Sequence, residues 1–233
     1  MTRRLFALVC LLLAAGFTAL GVWQLERRAW KLDLIARVDA RIHAPPRQLA
    51  DLRGVSDADA YRRVRLEGTF QNDHETLVQA LTERGAGWWV MTPLRTPAGI
   101  VLVNRGFVPA AYRDPATRPP PAGAVEVAGL LRASEPGGGF LRSNDPASNR
   151  WYSRDVAAIA RARGLAEVAP VFVDAEAAPG SGYPVGGLTV VAFRNAHLTY
   201  ALTWFGLAAL SLLGAAIVWR SEGRADIAEA HGR

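Results

Sequence analysis

The residue whose type and position most suggest chemistry is His197, at the start of a long apolar run near the C-terminus. An ionisable side chain at the edge of a membrane-like segment is costly, which makes it a functional candidate by default. At helical spacing Tyr200 or Ala201 shares a face with His197, and Trp204 continues that face one turn later. An imidazole above aromatic rings forms a flat apolar slot with one ligand nitrogen. Such a slot suits a haem, whose iron takes an axial histidine.

Cationic residues near His197 offer partners for the acidic groups of such a ligand. Arg194 lies one turn before His197 and could pair with a haem propionate. Gln24, Arg27 or Arg28, and Lys31 project at three- and four-residue steps just after the first apolar run, where they could meet propionates or a partner protein. Because both apolar runs end at this level, we predict that the cationic residues after the first run lie at the same depth in the membrane as Arg194 and His197. The alternative for both groups is an ordinary interfacial belt.

Other kinds of site find little support in the sequence. It contains no Gly-x-Ser-x-Gly elbow, no P-loop and no His-Glu-x-x-His motif. The single cysteine, Cys10, excludes a disulfide framework and a Cys-x-x-Cys-His haem attachment. His74 between Asp73 and Glu75 could hold a metal, although a solvated turn is the simpler interpretation. With no nucleophile–base pair and no metal cluster, we expect no enzymatic activity.

The composition favours a membrane and argues against nucleic acid. Half of the 233 residues are hydrophobic (50%), and the excess lies at the two ends of a chain with a formal charge of +6. Basic residues are mixed with acids through the middle and form no stripe that could track phosphates, so no nucleic acid is expected. Cationic balance beside apolar segments fits contact with anionic membrane lipid.

Two apolar runs predict one transmembrane helix at 5–23 and a second at 196–219. Each approaches the roughly 20 residues that a span needs, and Trp219 with Arg220 closes the second run as at a membrane face. A cleaved signal peptide is the alternative for the first run. Apolar residues recur at helical steps beyond it, however, which predicts a helix that continues past the membrane towards Pro45.

Two spans place both chain ends on the same side of the membrane. Basic residues at both ends favour cytoplasmic tails, including the tail 220–233. Arg27, Arg28 and Lys31 weaken this prediction because they flank the first span on its other side. A long central domain translocates largely regardless of its charge. We therefore expect a multi-pass protein whose domain 24–195 lies outside the cytoplasm.

Short alternating runs predict an α+β domain between the two spans. The predicted strands are Tyr61–Phe70, Glu75–Leu81, Trp88–Leu94, Ile100–Val103, Ala124–Arg132, Val171–Asp174 and Leu188–Phe193. One helix is predicted at Arg154–Arg163, capped by Ser153 and stopped by Gly164. Several strands with one or two helices predict an antiparallel sheet, folded as a sandwich or a partly closed barrel.

Five segments of the chain together carry a resemblance to a known family: Gly21–Lys31, Tyr61–Phe70, Pro93–Pro109, Asn149–Asp155 and Asn195–Phe205. In this order they resemble the Surfeit locus protein family, whose members are assembly factors for cytochrome c oxidase. Their order and the two-span layout match over nearly the whole chain. The resemblance implies a role in maturing the haem- and copper-containing catalytic subunit of an aa-type oxidase.

The resemblance also implies a cofactor and its ligand. Bacterial members look like haem a binders that receive the cofactor near haem a synthase and help to deliver it. The family's haem-linked histidine would fall on His197. There the family commonly reads Asn-Asn-His, whereas this chain has Asn195-Ala196-His197. We see no mitochondrial targeting stretch ahead of the first run, so we expect a bacterial plasma (inner) membrane.

Two functions remain open at this point. In the first, the chain is an assembly factor that binds haem a transiently, and a single ligand at His197 keeps the binding reversible. In the second, it is a non-haem membrane scaffold that holds the immature oxidase subunit, and His197 is a belt residue. Small residues such as Ala15 and Ala19 would then allow the spans to pack closely.

Overall fold

The computed structural model describes residues 2–49, 54–139, 141–177, 182–191 and 193–231, with side chains described within 4–220. The chain divides into a helical unit, Met1–Arg37 with Ala192–Arg233, and a barrel unit, Val38–Val191. The helices and strands are α1 (Thr2–His43), β1 (Arg47–Gln48), β2 (Arg63–Phe70), β3 (Thr76–Thr82), β4 (Gly85–Thr96), β5 (Gly99–Val108), β6 (Ala124–Ala133), β7 (Gly138–Gly139), β8 (Arg142–Ser143), α2 (Val156–Ala162), β9 (Val168–Ala175) and α3 (His197–His231).

In the helical unit, α1 and α3 pack through small residues that recur at steps of three, four or seven residues along each helix. The buried small residues are Ala7, Cys10, Ala14 and Gly21 on α1 and Ala201, Ala208 and Ala215 on α3. Small side chains let two backbones approach closely, as they do in membrane helix pairs. The contact does not use Ala15 and Ala19, which are exposed. The prediction for that pair is wrong because both residues lie off the buried stripe of α1.

Both helices are long and apolar enough to cross a membrane, over Arg4–His43 and His197–Arg220. Their large apolar side chains point outwards, as at Leu12 and Leu210, each 64% exposed. The core helix of a soluble protein would bury such side chains, so this surface fits lipid. As predicted, α1 continues beyond its apolar run, and it ends at His43, before Pro45.

The barrel unit contains a seven-stranded sheet in the order β1-β2-β6-β9-β5-β4-β3, in which β2 also pairs with β4. That extra pairing closes β2, β6, β9, β5 and β4 into a ring. It joins Thr69 to Arg95 and Phe70 to Leu94. A Cβ at Gly68 would lie 2.4 Å from the Arg95 carbonyl oxygen, so the closure needs glycine there. The predicted α+β class is confirmed, and the barrel is closed rather than partly closed.

The prediction of a purely antiparallel sheet is wrong for two strand pairs. Strands β1 and β2 run parallel, and so do β5 and β9. Parallel neighbours need a crossover connection. Between β5 and β9 the chain provides one that includes β6 and α2. The alternation of apolar and polar residues within one strand does not indicate which strands pair or whether they run parallel.

Two local predictions also need correction. Residues 188–191 and Phe193 form no strand, and Ala192 lies outside the described residues. Helix α2 begins at Val156 because Asp155, not Ser153, is its N-cap; the Asp155 side chain accepts a hydrogen bond from the Ala158 amide at 3.0 Å. Its predicted stop is confirmed, since Gly164 has a left-handed φ of 65° just after the helix.

A buried charge network ties three strands of the barrel together. Asp174 on β9 is 3% exposed and accepts hydrogen bonds from Asn104 at 2.7 Å, Arg132 at 2.8 Å and Arg154 at 3.0 Å. Arg154 also donates to Glu135 at 2.5 and 2.9 Å. Burial pulls the pKa of Arg154 down, but the Glu135 hydrogen bonds and the Asp174 charge outweigh it, so the pKa is raised. Every charge in the network is therefore compensated.

We expect Asp174→Ala to destabilise the barrel by about 3–5 kcal/mol, because it leaves two buried guanidinium groups without their shared carboxylate. Thermal unfolding of the purified chain, followed by circular dichroism, measures the loss. The matched control is Glu126→Ala, which removes a half-exposed carboxylate 3.1 Å from Arg65 and should change stability far less. Equal effects of the two substitutions would contradict this account of the network.

Candidate functional site

The centre of the candidate site is a hydrogen bond between α3 and α1. His197 Nδ1 lies 2.7 Å from Gln24 Oε1. An amide oxygen can only accept, so Nδ1 carries the proton and donates it. In the neutral imidazole Nε2 then carries the lone pair, and this is the form of histidine that binds a metal. The same contact places Gln24 and His197 at one level of the helix pair.

Sequence reasoning placed Gln24 near the site but did not assign it this role. The available signal was its position on the helical stripe that also carries Gly21 and Lys31. A polar residue on a stripe of small residues needs a partner across the helix pair. The sequence alone does not say which residue of α3 faces it.

Below His197, aromatic rings and small residues fill the contact between the helices. Trp204 stacks on Phe17 with ring centroids 5.7 Å apart. A Cβ at Gly21 would lie 2.6 Å from the Phe205 ring, so glycine lets the helices meet just below the hydrogen bond. This close contact positions Gln24 for His197.

The predicted slot of His197, Tyr200 and Trp204 forms only in part. Each helical residue turns by about 100°, so Ala201 lies about 40° from His197 on one side, and Trp204 and Tyr200 lie about 20° and 60° from it on the other side. Ala201 is buried, and Tyr200 is 56% exposed. Trp204 and His197 share the helix contact, while Tyr200 faces outwards beside it.

The predicted cations lie at the same end of the helical unit and differ in their surroundings. Lys31 Nζ lies 5.3 Å from the centre of the Phe193 ring. The Arg27 guanidinium lies 4.2 Å over Trp30 of its own helix. Arg194 is exposed, and it has no ion-pair partner among the residues that the structure describes. The approach to His197 is therefore positively charged.

A buried acceptor near His197 also lacks a partner. Asn195 Oδ1 is buried and receives no hydrogen bond within the described part of the chain. A buried unpaired oxygen costs free energy, so a ligand or water that donates to it would be favoured. It stands two residues before His197, in the segment that leads into α3.

The other possible metal position gains no support. His74 Nε2 lies 3.4 Å from Asp73, but Glu75 is held by Arg118 at 2.6 and 2.9 Å. A search of the described residues finds no group of three or more metal-ligating side chains. His74 thus has the surroundings of a turn residue.

Comparison with known proteins gives one consistent match. The SURF1 family model matches residues 11–209. Surfeit locus protein 1 of Homo sapiens is 37% identical over 227 residues, covering 86% of this chain and 73% of that protein. A SURF1-like protein of Monosiga brevicollis is 36% identical, with coverages of 83% and 79%. A SURF1-like protein of Caenorhabditis elegans is 31% identical, with coverages of 84% and 68%.

The register that brings Gln24 to His197 predicts a cross-link elsewhere along the same helix pair. A Cβ at Gly214 would lie 3.6 Å from Cys10 Sγ, which is close enough for a disulfide. We expect Gly214→Cys to cross-link with Cys10 when membranes are oxidised. After proteolysis within the barrel unit, the two helices should stay joined on a non-reducing gel.

Gly206→Cys is the matched control, because a Cβ there meets nothing within 4 Å. It should leave the two fragments separate. Equal cross-linking at both positions would mean that α1 and α3 do not hold the register described here.

Proposed function

We propose, since this chain belongs to the SURF1 family, that it is a non-enzymatic assembly factor for haem-copper cytochrome c oxidase. In this role it binds haem a transiently and helps to insert it into the catalytic subunit. Family membership supports the assembly role. The haem role depends on one observation, the hydrogen bond that leaves His197 Nε2 as a free ligand nitrogen.

The residues around His197 fit a haem by their chemistry. A bound haem would supply an iron that accepts a nitrogen ligand, and His197 Nε2 would hold it. Gln24 holds the imidazole in the tautomer that exposes this lone pair. Arg194, Arg27 and Lys31 would be the cationic partners of the propionates, and Tyr200 and Trp204 would be its apolar cover. Asn195 Oδ1, which is buried and has no hydrogen-bond partner among the described residues, lies two residues before His197 and offers a further acceptor to a ligand.

A single protein ligand also suits delivery. Two histidines on one iron would hold the cofactor firmly, whereas one ligand next to exposed cations allows release. Among the α3 residues whose side chains the structure describes (197–220), His197 is the one histidine. Haem a synthase as donor and the oxidase catalytic subunit as acceptor are the partners that this scheme requires.

We place the chain in a bacterial plasma (inner) membrane, with spans at 5–23 and 196–219. In this arrangement 24–195 lies on the outer side, and 220–233 is cytoplasmic. The antiparallel packing of α1 and α3, with Gln24 near His197 at one end and Cys10 near Gly214 at the other, supports two spans that return to the same side. The relatives reported above are eukaryotic.

The second candidate is a scaffold that holds the immature oxidase subunit without haem. It is favoured by Trp204, whose ring is already stacked on Phe17 and is thus engaged in helix packing. Tyr200, exposed on the outer side, has the position of a belt residue. In this case His197 and Gln24 would form an interhelical hydrogen bond that stabilises the packing of α1 against α3.

An optical spectrum of the detergent-purified chain, co-expressed with a haem a synthase, separates the two candidates. We expect a haem a spectrum from the wild type and its loss in His197→Ala, because the axial ligand is gone. His74→Ala removes a histidine from a turn and is the matched control, with its haem retained. Equal haem in the wild type and His197→Ala would reject the site. Absence of haem from all three proteins would favour the scaffold.

Gln24→Ala tests whether the hydrogen bond positions His197. Loss of a partner that orients a ligating histidine typically weakens metal binding roughly 10–100-fold. We therefore expect haem a to dissociate more readily from Gln24→Ala, in a titration that includes Gly16→Ala as a control on an exposed part of α1. Unchanged affinity in Gln24→Ala would show that Gln24 does not position His197.

A further inference from the structure

The barrel unit contains a large cavity that the proposed haem role does not use. Its volume is about 880 Å³, and it is lined by residues from β2, β5, β6, β9 and the loops beyond them. A cavity of this size accommodates a small organic molecule. It lies wholly within the barrel unit and is considered independently of α1 and α3.

Most of the cavity wall is apolar or aromatic. Phe70, Val125 and Val127 contribute from the strands, and Tyr112 and Tyr183 from the loops. The two tyrosine rings lie against each other, with centroids 4.2 Å apart. Such a lining favours a ligand whose body is apolar and partly flat.

The loop that carries Tyr183 is fixed to the barrel by its backbone. Val185 and Phe107 exchange two hydrogen bonds, each 2.9 Å long. The contact is close because Gly106 has no side chain: a Cβ there would lie 2.2 Å from the Val185 backbone. This part of the wall is therefore built into the fold.

The carboxylates at the cavity each have an arginine of their own. Glu75, beside the wall, is paired with Arg118 at 2.6 Å. Glu176 is paired with Arg63 through hydrogen bonds of 2.5 and 2.7 Å. The third pair is Glu126 with Arg65 at 3.1 Å. These three pairs leave no negative charge to balance a further cation.

Arg105 is that further cation. Its side chain is 11% exposed, and its nearest carboxylate is Glu75 at 4.0 Å, which Arg118 already holds. Within the described residues, no oxygen accepts a hydrogen bond from its guanidinium, which lies 5.2 Å over the Phe70 ring. A largely buried guanidinium whose nearest carboxylate is already held by another arginine is costly unless something supplies a second anion.

The electrostatic surroundings agree with this geometry. Burial lowers the pKa of Arg105; the Glu75 charge opposes the lowering, and the neighbouring Arg118 adds to it. The charged form of Arg105 is therefore less well compensated than an ordinary surface arginine. An anion entering the cavity would restore the missing interaction.

We propose that this cavity binds an organic monoanion, namely a carboxylate carried on an apolar, partly aromatic body. Arg105 pairs with the carboxylate, since its planar guanidinium matches that group. Tyr112 and Tyr183 contact the body. The single uncompensated positive charge selects a monoanion, and the apolar wall selects against small hydrated anions. The site goes beyond the proposed function and needs no haem.

The test compares 2-naphthoate with its neutral analogue 2-naphthamide. Binding is measured by equilibrium dialysis against the full detergent-solubilised chain, expressed without haem a synthase, with a detergent blank subtracted. We expect the wild type to bind 2-naphthoate saturably and at least roughly tenfold more tightly than 2-naphthamide, because only the carboxylate can pair with Arg105. Equal binding of the two probes, or binding of neither, would overturn the proposal.

Variants then identify the residue responsible. Arg105→Gln should lower 2-naphthoate affinity to that of 2-naphthamide and leave 2-naphthamide unchanged. Arg95→Gln makes the same change of charge at an exposed position on β4 and should change neither. Unaltered 2-naphthoate binding in a folded Arg105→Gln protein would overturn the assignment. If that variant does not fold, Arg105→Lys, which keeps the charge, is expected to retain a preference for the anion, and loss of the preference would count against the proposal.

Discussion

The close approach of two helices at a residue without a side chain is the constraint on which the candidate site depends. At Gly21 the ring of Phe205 occupies the space that a Cβ would need, so the backbones come together there. One turn further along α1, Gln24 reaches His197. A wider separation would remove the hydrogen bond, and the imidazole would lose its fixed tautomer. Packing in the apolar part of the pair thus determines the chemistry at its polar end.

The barrel unit contains two different arrangements of buried charged side chains. Around Asp174 every ionised group has partners, and the network joins β5, β6 and β9. Arg105, on the same β5, is buried with its nearest carboxylate already engaged. The first arrangement stabilises the fold, because no buried charge is left unpaired. The second retains an incompletely compensated charge at the wall of a cavity, where a bound anion would complete its interactions.

Uncharged apolar runs were sufficient to predict the two long helices, and periodicity predicted the continuation of the first helix and most strands, because burial of one face repeats along the chain. It was not sufficient for features that depend on distant partners. The parallel pairing of β5 with β9 is set by the crossover between them. Tyr200 and Ala201 were equally placed by spacing, and only the contact with α1 buried Ala201 and exposed Tyr200. The isolation of Arg105 likewise depends on Arg118, which reaches Glu75 from a loop.

The ring of strands is closed unevenly, and this has a mechanical consequence. Between β2 and β4 the pairing covers only Thr69–Arg95 and Phe70–Leu94, whereas β2 and β6 pair along most of their length. Thermal fluctuation opens a ring of strands most readily where the fewest hydrogen bonds hold it, so the β2–β4 pairing is the weakest point of the ring. Phe70 belongs both to this pairing and to the wall of the cavity. Fluctuation of the β2–β4 pairing would therefore also move one wall of the cavity.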